Sequence, residues 1–226
     1  MGPPLALTTR KGIVMKKIFI FDMDDTTVDS SMRFDEGVFT ILRDEGIPYD
    51  HDEMVATTIP LGISGTARLF HDLGIVGTVE EIQTRIEETM AYMYKTRVHC
   101  KAGASEFLHG LSAKGHRLFT LTATSHVLAD VALKENRLYD LFEKVWCTDD
   151  FGLQKHDPAL FVEVARVLDA SPEDIYYFDD SLTAIESARA AGFHTYGVDK
   201  GQPQEEIDYI KAHHDGFITH FSEFSI

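Results

Sequence analysis

Cysteine is scarce in this sequence. Cys100 and Cys147 are the only two in 226 residues, too few for a fold stapled by disulfides. Both stand beside apolar runs and read as buried free thiols. Positive charge is short as well: 21 Lys and Arg face 37 Asp and Glu, for a net charge of −16. Nucleic acid is therefore not an expected partner, because its binding rests on Lys and Arg neutralising phosphates. An anionic membrane surface is excluded on the same ground. No apolar run approaches the ~20 residues of a membrane span. The first residues, MGPPLALTTRKGIV, lack an apolar h-region and a small-residue cleavage site. Ala6 stands where a myristoylation signal following Gly2 requires Ser or Thr. Cytoplasm is the default compartment, and residues 1–14 read as a loose leader. Internal repeats and low-complexity tracts are absent too.

What is present is a globular composition, 44% hydrophobic and 26% charged, long enough for one large domain or a core with a modest insertion. A protein this acidic that handles an anionic ligand must concentrate positive charge locally, and a bound cation is one means. The run KKIFIF at 16–21 suits a strand buried on both faces of a parallel sheet. From about Ser31 the period turns helical, with Val38, Phe39, Ile41 and Leu42 on one face and Gly46 and Pro48 as stops. Asp50 with Glu53 and Thr78 with Glu81 read as capping boxes. A helix is expected within Gly62–Gly74, although residues 57–70 have the Gly and Ser content of a loop.

Beyond residue 98 strands and helices alternate. Strands are expected at 117–122, 145–147, 175–178, 193–198 and 217–219. Helices are expected at 104–114, 126–135, 158 to about 168 and 182–190, with a last one opened by Pro203; Asp157 is the N-cap and Pro158 the first helical residue of the third. Alternation implies right-handed crossovers and an α/β fold with a parallel sheet. The all-helical stretch 31–97 interrupts it. It reads as an inserted cap domain on a core made of residues 1–30 and 98–226.

Three strands end on polar residues: Phe19-Ile20-Phe21 on Asp22, Phe119-Thr120-Leu121 on Thr122, and Tyr176-Tyr177-Phe178 on Asp179 and Asp180. Ligands bind outside the carboxyl ends of strands in open parallel sheets, so these side chains should meet. Lys155, in the loop after the short strand 145–147, can reach the same face. Asp22, Asp24, Asp179 and Asp180 cannot all ionise together uncompensated. Two like charges ~4 Å apart repel by about 4 kcal/mol at an effective dielectric near 20. Hard oxygen donors in this number suit Mg²⁺, and Mg²⁺ with Lys155 suits a phosphoryl group. Asp22 and Asp24, two apart on leaving a strand, can serve as nucleophile and as proton carrier. Any one of these residues alone is ordinary, since an Asp at a strand end commonly caps a turn or helix. Their convergence in order is what carries weight.

FDMDDTTVDS, the strand ending in Thr122, the run Lys155-His156-Asp157-Pro158, and FDDSLTAIESARAAG together resemble the four motifs of the haloacid dehalogenase-like (HAD) hydrolase superfamily. The helical insert after the first motif resembles the branch with phosphoglycolate phosphatases and β-phosphoglucomutases. The resemblance covers nearly all of residues 16–200. It implies a Rossmann-like core, a helical cap, Mg²⁺ and an aspartyl nucleophile. By position it makes Asp22 the nucleophile and Asp24 the acid/base, whose backbone carbonyl also meets the metal. Thr122 and Lys155 would bind the transferring phosphoryl group. Asp180 would hold the metal, with Asp179 ligating directly or through water. Thr27, Ala123 and Ala184 depart from the usual aliphatic residue, Asn and Gly.

The expected activity is hydrolysis of a small phosphorylated metabolite through an aspartyl-phosphate. A β-phosphoglucomutase-type phosphomutase is the alternative, and a phosphate-binding regulator without turnover stands behind it. A dehalogenase needs no proton donor two residues past its nucleophile, so Asp24 disfavours it. Arg68 and Arg33 are candidates to meet a second anionic group on the substrate. His156 is a weaker candidate for the site. Met90, Tyr92, Met93 and Tyr94 read as cap core.

Overall fold

The computed structural model of the chain describes residues 16–223. The leader expected at 1–14 lies outside them. Six parallel strands form the main sheet: β1 (Ile18–Phe21), β4 (Arg117–Thr122), β5 (Lys144–Cys147), β6 (Ile175–Asp179), β7 (His194–Val198) and β8 (Gly216–Ile218). Their order is β5-β4-β1-β6-β7-β8, every pair parallel. The chain winds outward from β1 first one way and then the other, so β1 sits at the switch point, where such sheets open a crevice. Both faces are covered. Phe19 and Phe21 face one cluster with Phe178, while Ile18 and Ile20 face another with Phe119, Leu121 and Tyr177. Burial on both sides explains why IFIF is continuous rather than alternating.

Helices α4 (Ala104–Ala113), α5 (His126–Glu135), α6 (Pro158–Leu168), α7 (Leu182–Ala190) and α8 (Gln204–His213) follow the strands, within a residue of the expected bounds. Asp157 caps α6 by accepting from the Ala159 N–H at 2.9 Å. The departure Ala184 is buried on α7, packed in the second cluster.

A short antiparallel ribbon, β2 (Val28–Asp29) and β3 (His99–Cys100), pairs Val28 with Cys100. It is too short to have a sequence pattern and was not expected. Between its strands lie only helices. The segment from Ser31 is not one helix: a 3₁₀ turn (Ser31–Arg33), a π-helical turn (Phe34–Val38) and α1 (Thr40–Asp44) succeed one another. Gly37 is the tight point, since a Cβ there would lie 3.1 Å from Met93 Cγ. α2 (His51–Asp72) and α3 (Val79–Thr96) pack together. The loop expected at 57–70 is instead helix with a single break. Pro60 removes a backbone donor, and Gly62 takes φ 62°, ψ −173°, a region essentially reserved for glycine. Ala67 and Phe70 keep the second half helical by burying its inner face. At α3 both halves of the Thr78–Glu81 capping box form, whereas Asp50 forms only the half that accepts from the Glu53 N–H.

No helix among the described residues is long and apolar enough to cross a membrane. Cys147 is buried and Cys100 only half-buried, so one of the two expected buried thiols is partly open.

Candidate active site

Asp22 leaves β1 with its N–H still donating to Phe178 O at 2.8 Å, which extends the sheet by one bond and locks the residue in place. Its side chain is buried, and Lys155 Nζ donates to it. The same ammonium donates to Asp179 Oδ2 at 2.9 Å. Carboxylate oxygens of Asp22, Asp179 and Asp180 all lie within 4.8 Å of one another. Burial pushes the Asp22 carboxyl well up, Lys155 pulls it back, and the charges of Asp179, Asp180 and Asp24 push it further up. Three clustered acids meet two ammonium groups, Lys155 on Asp22 and Asp179 and Lys200 on Asp180, and stay one positive charge short of balance. An oxygen-seeking cation fits that donor set.

The ends of β6 are held separately. Asp179 accepts from Tyr177 OH and, at 2.8 Å, from the Ser181 N–H. Asp180 accepts from Thr26 Oγ1 at 3.2 Å and from Lys200 Nζ at 2.9 Å, and its N–H donates to Thr26 Oγ1 at 3.0 Å. Thr26 and Lys200 thus orient one acid, roles that nothing in their spacing revealed.

Asp24 faces elsewhere. Ser30 Oγ and Tyr94 OH each donate to its Oδ1 at 2.7 Å, and Thr124 Oγ1 donates to its Oδ2 at 2.7 Å. Burial alone would raise this carboxyl. The Arg33 charge and the three hydroxyl bonds outweigh it and hold the group below its ordinary value. Asp25, at φ 55°, turns the chain here and anchors Arg33, whose Nη1 donates to Asp25 Oδ2 at 2.8 Å and to Ser30 O at 3.0 Å. Thr27, the departure from an aliphatic residue, is fully buried and donates to the carbonyls of Asp22 and Met23 at 3.3 and 3.2 Å.

Thr122, at the end of β4, is buried and accepts from the Thr124 N–H at 3.1 Å. Asp22, Asp24, Thr122, Lys155, Asp179 and Asp180 all line one cavity of about 340 Å³ between the sheet and the inserted helices. All six residues singled out from the sequence therefore come together, as does Arg33. Arg68 and His156 do not: both are exposed and off the cavity wall. Tyr92, expected in the cap core, is 62% exposed. Tyr94, expected there as packing only, is buried with its hydroxyl in the site. A Tyr on an apolar helix face needs a partner for its OH, and that requirement was the available signal.

The sequence profile of the haloacid dehalogenase-like hydrolases matches residues 19–198. The chain is 26% identical over 180 residues to the phosphorylated carbohydrates phosphatase of Thermotoga maritima, covering 79% of this chain and 83% of that one. It is also 26% identical over 203 residues to the β-phosphoglucomutase of Bacillus subtilis, covering 86% and 88%. The fold superposes on YfnB of Bacillus subtilis, solved bound to magnesium, with a TM-score of 0.71 at 19% identity over 92% of this chain and 96% of that one. A profile spanning four-fifths of the chain, over a parallel sheet with its acids gathered at the switch point, is decisive: this chain belongs to the haloacid dehalogenase-like hydrolases.

Proposed function

We propose that the chain is a Mg²⁺-dependent phosphatase of a small phosphomonoester, working through an aspartyl-phosphate on Asp22. The observation that carries this reading is the set of Asp22, Asp179 and Asp180 oxygens within 4.8 Å, bridged by Lys155 and open to the cavity. Asp22, Asp179 and Asp180 would hold the Mg²⁺, with the Asp24 carbonyl as a further donor. Bound there, the ion neutralises charge on the phosphoryl oxygens.

An Asp22 oxygen attacks phosphorus, and the bond from phosphorus to the leaving oxygen breaks. Asp24 gives its proton to that oxygen. Water then attacks phosphorus, Asp24 takes the proton back, and the Asp22–phosphorus bond breaks to release phosphate. A phosphate dianion arriving beside Asp24 adds a like charge, which favours the protonated form that the first step needs. Lys155 and Thr122 hold phosphoryl oxygens by charge and by hydroxyl donation. The arrangement supplies position and electrostatics rather than new covalent chemistry.

Asp22→Asn tests the nucleophile. Hydrolysis of p-nitrophenyl phosphate with Mg²⁺ is expected to fall at least about a thousandfold, and equal rates in the two proteins would refute the assignment. Similarity to a β-phosphoglucomutase keeps one second reading, in which the phosphoryl group returns to a sugar instead of to water. Free phosphate from a sugar phosphate marks the hydrolase, and an isomerised sugar phosphate marks the mutase.

A further inference from the structure

The cavity has a floor and a roof of different chemistry. The floor carries the acids, Lys155, Thr122 and the hydroxyls of Thr124, Ser125 and Ser181, of which Thr124 is committed to Asp24 and Ser181 to Thr183. The roof, from the inserted helices, is Phe34, Val38, Ile59, Ile63, Ile86 and Met90. Two hydroxyls, Thr58 and Thr66, lie among them. Thr58 Oγ1 donates to Met54 O at 2.8 Å, and Thr66 Oγ1 donates to Thr58 O at 3.5 Å. Each hydroxyl has one proton to give, and both protons are directed at the backbone of α2.

Besides Lys155, Arg33 is the one cation lining the cavity among the described residues. Its Nη1 serves Asp25 and Ser30, and its charge already answers Asp24 and Asp25. A second anion under this roof would face a guanidinium shared by two carboxylates. A sugar would press its hydroxyls against Ile and Met side chains, and buried hydroxyls without partners are costly. An alkyl or aryl body would cover apolar surface, including Ile59, which lines the cavity yet keeps 59% of its surface exposed.

We infer that the roof selects a phosphate monoester whose alcohol is small, uncharged and largely apolar, over a sugar phosphate or an ester carrying a second anion. This rests on the phosphatase reading. The volume of about 340 Å³ is near the low end of ligand pockets, about 300–1,000 Å³, and limits the body to a small one.

The test is binding, so that it does not depend on turnover. Calorimetry on the wild-type protein with Mg²⁺ compares n-butylphosphonate, phosphonoacetate and the phosphonate analogue of glucose 6-phosphate, with inorganic phosphate as reference. n-Butylphosphonate is expected to bind at least about tenfold tighter than each of the others. Ile59→Lys, an exposed position whose change leaves the core intact, is expected to narrow the gap to phosphonoacetate to about threefold or less. A preference of wild type for the butyl compound under about threefold, or no ligand binding tighter than phosphate, overturns the proposal. The phosphatase reading fails by a different sign: no phosphate released from p-nitrophenyl phosphate by the same protein with Mg²⁺, whatever the binding order.

Discussion

Tyr94 reaches Asp24 across 70 residues of sequence, from a helix of the insert to a loop of the core. With Ser30 and Thr124 it fixes the orientation of the Asp24 carboxyl. Hydrogen bonds to a charged group contribute about 1.5–3 kcal/mol. Tyr94→Phe keeps the ring and removes one of the three. It should lower kcat about 10–100-fold on an alkyl phosphate, whose leaving oxygen needs the proton. On p-nitrophenyl phosphate, whose leaving group departs unaided, the loss should stay under about threefold. Equal losses on both substrates would show that Tyr94 acts through packing and not through Asp24. Residues at strand ends were legible in the sequence because strand period and acid chemistry coincide there. Tyr94, Ser30, Thr26 and Lys200 were not, because a hydroxyl or ammonium carries no period and its partner is set only by tertiary structure.

At the scale of elements, the bend in α2 places the roof. Pro60 and Gly62 divide the helix so that Thr58 and Ile59 before the break, and Ile63 and Thr66 after it, line one cavity. A side chain at Gly62 would have open space but the wrong backbone, since φ 62° with ψ −173° costs a non-glycine residue about 1–3 kcal/mol. Gly62→Ala should lower the unfolding free energy by about that amount, read from the denaturant midpoint at unchanged m. If the helix straightens instead, stability will hold and KM will rise. The same element shows where pattern reading went astray. Gly and Ser in residues 57–70 suggested a loop, but the buried spacing of Thr66, Ala67 and Phe70 overrides local propensity. The irregular 3₁₀, π and α1 run after Ser31 also escaped, because its apolar spacing is helical while the Phe39 N–H donates five residues back, to Phe34 O. By contrast α5 and α7 follow their sequence bounds to the residue, each a short amphipathic helix between strong strands.

For the whole molecule, net charge and the site pull in opposite senses. A chain at −16 gathers three of its acids within a few ångströms, and burial opposes the charged form of Asp22. Binding of Mg²⁺ to the folded state alone should therefore stabilise it. At a hundredfold excess over its dissociation constant the gain is about 2.7 kcal/mol, which for about 200 residues raises Tm by roughly 5–10 °C. Thermal scans with Mg²⁺ and with EDTA measure it. An unchanged midpoint would mean that the three acids do not share an ion.

The ribbon of β2 and β3 bears on how the chain reaches this fold. β1 and β4 are neighbours in the sheet though roughly a hundred residues apart, a separation that makes pairing slow. Once Val28 meets Cys100, the inserted helices become a closed side loop. A six-residue loop and the segment that carries α4 then remain between the ribbon and the two strands. The search that brings β1 to β4 becomes nearly independent of the insert's length, since closure entropy grows only as its logarithm. An insert of different size, tied off at the same two residues, could replace this one with little effect on the rate at which the sheet assembles.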